Sequence, residues 1–364
     1  MSSHSEIEFK GYALTSSDPL QWSDLQVVPI KPKNFGPHDV EVAITHCGVC
    51  GSDIHTLTGG WGALSKLPLV VGHEIAGKVT RVGDAVQEFK VGDSVGVGAQ
   101  IGSCGECRAC KHGDENYCPK MIHTYNDLYP DGVETQGGYS TGIRAHEQFV
   151  FKIPDGLSRR DAASMMCAGL TVYSPLKVNG CGPGKNVGVI GIGGLGHYAI
   201  LFAKAMGATV YAFSRGTKKE SDIRKMGADY VINTDDAEFY KPLQGELDII
   251  ISTIDYFSPD RPLKMYLSML FVHGKFVTCG LPDADNTLPP IHAFDVTLNG
   301  CYIGGTHMGS KKEAEEMLQL AAEKGIKPWV EELPMSKVRE AVEGVKSGKA
   351  RYRYVLKQDL VNYE

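Results

Sequence analysis

The chain has 364 residues, of which 42% are hydrophobic and 22% are charged, and its formal net charge is -6. This composition is that of an ordinary globular protein, and the length exceeds what one hydrophobic core usually supports, so we predict two domains. The acidic balance argues against a nucleic-acid-binding surface, and the sequence has no run of about 18 apolar residues that would span a membrane. We therefore expect neither nucleic acid nor a membrane among its partners.

The first part of the chain is rich in short β-prone segments. VEVAITHCGVC, AGKVTRVG and VGDSVGVGAQ are runs of this kind, and Gly and Asp interrupt them. Such runs, bounded by turn residues, are typical of strands. The sequence thus predicts a β-rich domain that begins near the N-terminus.

Near residue 160 the pattern changes to strands that alternate with helices. It predicts a strand over 186–192, a helix ended by Gly207, a strand over 209–214 and a helix ended by Gly227. The strand segments DYVIN, ELDIIISTI, GKFVTCG and VTLNGCYIGG follow, with the helix PLKMYLSML after the second. Alternation of this kind indicates a parallel sheet with helices on both faces.

After Gly305 the pattern changes again. Ser310 and Glu313 predict a capping box at the start of the helix KKEAEEMLQLAAEKG. A second helix, SKVREAVEGVKSG, and a last strand, RYRYVLK, complete the chain. We infer that the α/β segment is inserted into the β-rich domain, to which the chain returns.

A glycine-rich loop follows the first strand of the α/β segment. Gly191, Gly193 and Gly196 form G-I-G-G-L-G, with Gly194 and Leu195 between the last two. The first glycine permits a tight turn, the second lets a pyrophosphate approach the backbone, and the third lets helix and strand pack closely. The phosphates would meet the N–H groups of the helix N-terminus. The strand–loop–helix context favours a dinucleotide site over a simple tight turn.

The end of the second strand predicts which dinucleotide binds. NAD enzymes tend to place an acid there for the ribose 2′-OH, whereas this chain has Ser214, Arg215 and Lys219 and no acid before Glu220. An arginine can bind a 2′-phosphate through its planar fork, and an acid would repel it. The alternative is a solvated helix start, but cations at a helix N-terminus are mildly unfavourable. We therefore predict NADP(H).

Ten cysteines occur in the chain, and four of them crowd into fifteen residues as C-x2-C-x2-C-x7-C. Four thiolates so close together suit a tetrahedral structural zinc. An iron–sulfur cluster is the competing interpretation, and four free thiols is a third. The predicted ligands of this structural zinc are Cys104, Cys107, Cys110 and Cys118.

A second candidate metal site is spread along the chain. Cys50 lies in H-C-G-V-C-G-S-D-I-H, His73 precedes Glu74 in G-H-E, and Cys167 lies in M-C-A-G-L-T-V-Y-S-P-L. Two Cys and one His leave a fourth position open, as in a catalytic zinc site. Spacing alone does not join these segments: Cys167 could be an apolar core residue and His73 a buried structural histidine.

Several motifs occur together in a characteristic order. They are G-G-x-x-x-x-x-P-x-V-x-G-H-E, the four-cysteine lobe, Q-G-G-Y, C-A-G-L-T-V-Y-S-P-L and the glycine loop. The chain thereby resembles the zinc-containing medium-chain dehydrogenase/reductase family, most closely its cinnamyl alcohol dehydrogenase-like branch. The resemblance implies an α/β fold with a GroES-like β-rich catalytic domain (1–167 and 306–364) that holds both zinc sites. It also implies a Rossmann cofactor domain with a doubly wound parallel sheet (168–305).

The resemblance assigns roles to the scattered residues. It implies that Cys50, His73 and Cys167 hold a catalytic zinc and that Glu74 is an auxiliary ligand that can approach it. By the same resemblance Asp53 orients the ligands.

Further residues are implied around this zinc. Ser52 would contact the substrate oxygen and pass protons to His55, and both residue types suit a relay. Thr171 would contact the cofactor, and Trp61 would lie near the substrate entrance or simply pack in its loop. Cys47, by contrast, is interpreted as a packed free thiol.

The expected activity is reversible hydride transfer between NADP(H) and aromatic or aliphatic aldehydes and primary alcohols, with two zinc ions per chain. A zinc-dependent polyol dehydrogenase, a reductase of C=C or iminium bonds, and a non-catalytic member of the fold are the alternatives. We further expect a homodimer joined through the cofactor domains and a cytoplasmic location.

Overall fold

The computed structural model describes residues 7–64 and 66–361. Residues 1–6, 65 and 362–364 of the predicted catalytic domain lie outside the described residues. Within the described part, the strands are β1 (Lys10–Leu14), β2 (Leu25–Pro29), β3 (Asp39–Gly48), β4 (Glu74–Val82), β5 (Ser94–Val97), β6 (Gln100–Gly102), β7 (Ile122–His123), β8 (Gly142–His146), β9 (Val150–Lys152), β10 (Asn186–Ile190), β11 (Thr209–Ser214), β12 (Tyr230–Asn233), β13 (Leu247–Ser252), β14 (Leu270–Thr278), β15 (Tyr302–Gly305), β16 (Val330–Pro334) and β17 (Arg353–Lys357).

The α-helices of the same residues are α1 (Gly51–Leu57), α2 (Arg108–His112), α3 (Arg159–Ala163), α4 (Ala168–Val178), α5 (Gly194–Ala205), α6 (Glu220–Lys225), α7 (Leu263–Ser268), α8 (Ala293–Thr297), α9 (Lys311–Lys324) and α10 (Val338–Lys346). Among them, no helix is long and apolar enough to cross a lipid bilayer.

The chain divides into two compact units. The first unit contains the described residues up to Ala168 and those from Ser310 onward, and the second unit is Gly169–Gly309. The chain therefore leaves the first unit once and returns to it. For the catalytic and the cofactor-binding domain we still propose the boundaries expected from the sequence, 167/168 and 305/306.

The first unit is built on a mixed sheet of the order β16-β17-β3-β4-β5-β9, with β8 also paired to β3. Strands β3 and β4 pair antiparallel, as expected for neighbouring segments of a β-rich domain. Only the β16–β17 pair of this sheet is parallel among the described strands. Its apolar side chains pack with α1 and α10 into one core, which includes Val42, Ile44, Val71, Ile75 and Leu356.

The second unit is a parallel sheet of the order β12-β11-β10-β13-β14-β15. Read in chain order, this is the arrangement 3-2-1-4-5-6 of a doubly wound dinucleotide-binding sheet, and the predicted Rossmann fold is confirmed. The strand interiors are almost continuously apolar because helices cover both faces. The crevice at the carboxyl ends of β10 and β13, where the strand order reverses, is the switch point at which such sheets bind ligands.

One predicted strand is only partly correct. In VTLNGCYIGG, the strand is confined to Tyr302–Gly305, and Ala293–Thr297 forms a helix instead. His292 and Asp295 form a reciprocal cap that starts this helix, and Gly300 at φ 61° turns the chain into β15. The β-prone composition of this segment was therefore outweighed by a local cap that the pattern did not reveal.

The predicted start of the long C-terminal helix is confirmed. Ser310 accepts a hydrogen bond from the backbone N–H of Glu313, and the Glu313 carboxylate accepts one from the Ser310 N–H. The helix ends at Gly325, whose φ of 61° is accessible to glycine at little cost.

Candidate functional site

The three segments predicted to form a catalytic metal site meet in the first unit. Cys50 is the N-cap of α1, His73 directly precedes β4, and Cys167 directly precedes α4. One ligand atom from each of these residues and one from Glu74 all lie within 4.8 Å of one another, and all four residues are buried. The fold thus supplies the convergence that sequence spacing could not.

The charge state of the two cysteines is set by their contact. The Cys167 thiol shares a hydrogen bond with Cys50, which lowers the pKa of Cys50 well below its usual value and, together with burial, raises that of Cys167. A bound cation would favour the thiolate form of both, because metal binding displaces thiol protons. The donor set therefore fits a borderline-soft ion such as zinc.

His73 is oriented as a metal ligand. Its Nδ1 lies 2.9 Å from Oδ1 of Asp53, whereas its buried Nε2 has no hydrogen-bond partner among the described residues. Asp53 thereby favours the tautomer with the proton on Nδ1, which leaves Nε2 as an acceptor. A buried nitrogen lone pair beside two cysteines is what a metal ion would satisfy.

Asp53 lies in the first turn of α1 and is fully buried. Besides His73, its carboxylate accepts hydrogen bonds from the backbone N–H of Cys50 at 3.0 Å and of Gly72 at 3.1 Å. The hydroxyl of Tyr139 donates a further bond at 2.8 Å. The predicted orienting residue thus contacts both ligand segments that precede the four-cysteine lobe.

Glu74 lies in the same group, with its carboxylate between two partners. One oxygen accepts a bond of 3.2 Å from the N–H of Ala168, and the other is paired with the buried guanidinium of Arg353. Burial raises the pKa of Glu74 to about 7, although the positive charge of Arg353 opposes the rise. Arg353 lies in the last strand segment, RYRYVLK, and no local sequence pattern predicts its pairing with Glu74.

The candidate relay residues lie on α1. Oγ of Ser52 lies 3.7 Å from Sγ of Cys50, so its hydroxyl is beside the metal group, and Cys50 rather than Ser52 caps the helix. His55 is one turn further along, and its ring stacks on Trp61 with the centroids 4.9 Å apart and the planes within 5°. The sequence did not reveal this stacking.

The four-cysteine lobe has the geometry of a closed metal site. Successive Sγ–Sγ distances are 3.5 Å (Cys107–Cys110), 3.9 Å (Cys107–Cys118) and 3.5 Å (Cys104–Cys118). A tetrahedral zinc with bonds of about 2.3 Å requires sulfur separations of about 3.8 Å. Backbone N–H groups, led by that of Glu106, lower the pKa of Cys104 to about 6, which favours a thiolate. All ten cysteines, each within the described residues, are outside disulfides.

Cys47 does not join the catalytic group. Its side chain is fully buried, and burial raises its pKa well above the usual value. The side chain instead packs where Cβ atoms on Gly72 and Gly138 would lie 3.0 Å and 2.8 Å from its sulfur. Its surroundings match the interpretation as a packed thiol.

In the second unit the three glycines of the loop each have a distinct environment. Gly191 adopts a φ of 84°, and a Cβ on Gly196 would lie 2.0 Å from the carbonyl oxygen of Gly191. A Cβ on Gly193 would meet nothing within 4 Å among the described residues. The first and third glycines are therefore required by the fold, whereas Gly193 borders open space where a pyrophosphate can approach the first N–H groups of α5, at Gly194 and Leu195.

The candidate 2′-phosphate residues lie at the end of β11. Ser214 is its last residue, Arg215 is exposed, and Nζ of Lys219 donates to the carbonyl oxygen of Ile192 at 2.7 Å. Lys219 thus joins the β11–α6 loop to the glycine loop. Glu220, the first acid of this segment, pairs with Arg224 one turn along α6.

An acidic residue, Asp235, lies near this position, and the local sequence does not predict it. Gly216 lies in the turn that follows Arg215, and a Cβ added to it would be 3.6 Å from Oδ2 of Asp235. Arg261 contacts Asp235 at 3.4 Å and Asp260 at 2.9 Å, which partly offsets the negative charge. Only strand pairing reveals this proximity, because β11 and β12 are adjacent in the sheet.

Thr171 lies on α4 of the same unit. Its carbonyl oxygen is 3.9 Å from Sγ of Cys279, the residue that follows β14. The predicted cofactor contact of Thr171 remains a prediction.

Comparison with known proteins places the fold and the sites in a family. The alcohol dehydrogenase GroES-like domain matches residues 36–155, and the zinc-binding dehydrogenase domain matches residues 194–323. The chain is 42% identical over 353 residues to NADP-dependent alcohol dehydrogenase 6 of Saccharomyces cerevisiae. The aligned part covers 96% of each chain.

Two solved structures extend this similarity to three dimensions. A cinnamyl alcohol dehydrogenase of Sorghum bicolor superposes with a TM-score of 0.89 and 34% identity. The superposition covers 97% of this chain and 99% of the sorghum chain. The CAD of Helicobacter pylori complexed with NADP(H) has a TM-score of 0.86 and 36% identity, covering 96% and 97%. The chain therefore belongs to the zinc-containing medium-chain dehydrogenase/reductase family, in its cinnamyl alcohol dehydrogenase-like branch.

Proposed function

We propose that this chain is an NADP(H)-dependent zinc alcohol dehydrogenase that interconverts aromatic or aliphatic aldehydes and primary alcohols. The observation that carries the proposal is the buried group of Cys50, His73, Glu74 and Cys167, with the Ser52 hydroxyl 3.7 Å from the sulfur of Cys50. Membership of the family and the names of its NADP-dependent relatives support the same activity.

When bound, zinc supplies a Lewis acid for the carbonyl oxygen, and NADPH supplies the hydride. Cys50, His73 and Cys167 would hold the catalytic ion, and Glu74 would join them when its pairing with Arg353 loosens. Cys104, Cys107, Cys110 and Cys118 would hold a second, structural ion. The sulfur distances in that lobe fit a site with no open position, so we assign it no chemistry.

The chain's own residues handle the proton. Reduction leaves a negative oxygen that needs a proton, and the Ser52 hydroxyl can donate one because it lies beside the metal group. His55 would then restore the proton of Ser52. Serine both donates and accepts, and histidine titrates near neutral pH, so the two types suit this order.

Metal analysis tests the two zinc sites. We expect about two zinc ions per chain, and about one in both Cys50→Ala and Cys107→Ala. Cys50→Ala should abolish turnover in a folded protein, whereas Cys107→Ala should chiefly lower the melting temperature, because a closed site contributes folding energy. Cys181→Ala, in the second unit, is the matched control and should keep both ions. One zinc in the wild type, or equal loss of fold in both variants, would contradict the assignment.

Cofactor titrations test the 2′-phosphate site. Arg215→Ala should weaken NADPH binding about 10- to 100-fold, because one charge-assisted hydrogen bond is lost, and should leave NADH binding unchanged. Lys225→Ala, an exposed cation on α6, is the control. Coupled assays with NADPH and NADH across a panel of aldehydes and polyols would define the substrate class. A wild-type preference for NADH overturns the proposed role of Arg215.

Steady-state kinetics test the relay. Ser52→Ala should lower kcat about 100-fold, in line with the loss of a positioned acid–base group, while its zinc content stays that of the wild type. Thr58→Ala removes another hydroxyl from the end of the same helix, where it donates to Ile54, and should keep kcat. Wild-type turnover in Ser52→Ala would rule this relay out.

We also propose a homodimer joined at the edge of the second unit's sheet. β15 is the last strand of that sheet, and the adjoining Phe294, Leu298 and Tyr302 are exposed. An open strand edge flanked by apolar side chains is suited to pairing with a second copy. A cytoplasmic location, testable by cell fractionation, is proposed because reducing compartments keep cysteines out of disulfides, and none of the ten cysteines, all within the described residues, forms a disulfide.

Sedimentation velocity tests the dimer. Leu298 is 85% exposed, so Leu298→Asp should leave each chain folded yet shift the protein from dimer to monomer by placing a charge in the interface. Leu20→Asp, at a position 91% exposed in the first unit, is the control and should remain dimeric. A dimer that survives Leu298→Asp places the interface elsewhere.

A further inference from the structure

Tyr139 is the last residue of the motif Q-G-G-Y, and its side chain is fully buried in the first unit. Its hydroxyl donates a 2.8 Å hydrogen bond to Oδ2 of Asp53. Its ring lies against Gly72, where a Cβ would come within 2.6 Å of the ring. Gly72 directly precedes the candidate ligand His73, so Tyr139 contacts both the carboxylate and the backbone that place this histidine.

The two oxygens of Asp53 divide their contacts. Oδ1 accepts from Gly72 and faces Nδ1 of His73, whereas Oδ2 accepts from the N–H of Cys50 and from Tyr139. A carboxylate rotates about its terminal bond unless both oxygens are held. Because Asp53 is 0% exposed, water does not replace a partner that is removed.

We propose that Tyr139 is a positioning residue of the catalytic metal site, which holds Asp53 in the rotamer that aims Nε2 of His73 at the metal. This inference rests on the proposed zinc at Cys50, His73 and Cys167. Tyr139 itself touches neither substrate nor metal in this role. It acts by donating a 2.8 Å hydrogen bond to Oδ2 of Asp53.

Removal of the hydroxyl has a definite consequence. In Tyr139→Phe the ring still fills the space beside Gly72, but Oδ2 loses the hydroxyl as a donor and keeps its bond from the Cys50 N–H. Partners that orient a ligand are worth about 10- to 100-fold in metal affinity. Tyr139 is one hydrogen bond further from the metal than Asp53, so we expect Tyr139→Phe to lower metal affinity near the smaller end of this range, about 10-fold.

The experiment compares Tyr139→Phe with Tyr129→Phe in the full-length zinc-loaded protein. Tyr129 is also a buried tyrosine of the first unit, but its hydroxyl donates to the carbonyl of Arg144 at 3.3 Å. A chelator releases the ions, and a zinc-sensitive dye reports their rates. We expect the catalytic ion to leave about 10-fold faster in Tyr139→Phe and at the wild-type rate in Tyr129→Phe, with the slower structural ion unchanged in both.

Cobalt substitution supplies a readout that general destabilisation does not move. The visible absorption bands of cobalt at the catalytic site should shift in Tyr139→Phe and not in Tyr129→Phe, because they depend on ligand geometry. In an Asp53→Asn background the Tyr139→Phe change should have little further effect on release, since both residues act through one contact.

The outcomes are distinguishable. A wild type with one zinc per chain overturns the catalytic site itself, and the role of Tyr139 with it. A wild type with two zinc ions, combined with wild-type release and spectra in Tyr139→Phe, overturns only the positioning role. Failure of Tyr139→Phe to fold, or additive effects with Asp53→Asn, also overturns it, because a positioning residue leaves the fold intact and acts through Asp53.

Discussion

The buried carboxylate of Asp53 is the contact on which the candidate catalytic site depends. It accepts backbone N–H groups from Cys50 and Gly72, faces the ring of His73 and receives the hydroxyl of Tyr139. A charge at 0% exposure is tolerable only when it is fully hydrogen-bonded, and here the donors come from three separate segments. Satisfying Asp53 therefore forces α1, the turn before β4 and the Q-G-G-Y segment together, and the same contacts bring the candidate ligands Cys50 and His73 together.

The two cysteine-containing sites solve the same chemical problem in different ways. The lobe of Cys104–Cys118 is local: backbone N–H groups point at its sulfurs, and its sulfur separations already suit a tetrahedral ion. The other site joins residues more than a hundred positions apart and includes a titratable carboxylate, Glu74, held by Arg353. A closed local site suits a structural role, whereas a site with an adjustable fourth partner suits exchange of ligands.

In the glycine-rich loop of the second unit, the backbone and the ligand each require different glycines. Gly191 and Gly196 are required by backbone conformation and by close packing, so they would be needed even without a ligand. Gly193 has no such protein neighbour among the described residues, and its open surroundings point to the cofactor. At the end of β11 the local charge depends on Arg215 and on Asp235, which is paired with Arg261. Both Asp235 and Arg261 are distant from Arg215 in the sequence.

The sequence by itself determined the elements and sites that rest on local pattern. Strand–helix alternation and the glycine loop predicted the Rossmann unit, Ser310 and Glu313 predicted the start of α9, and cysteine spacing predicted the lobe. Only the tertiary structure decided that Cys50, His73 and Cys167 converge, that Arg353 pairs with Glu74 and that Asp235 lies near Gly216. The physical reason is that strand order and burial, which create these contacts, join residues whose separation along the chain carries no periodic or spacing signal.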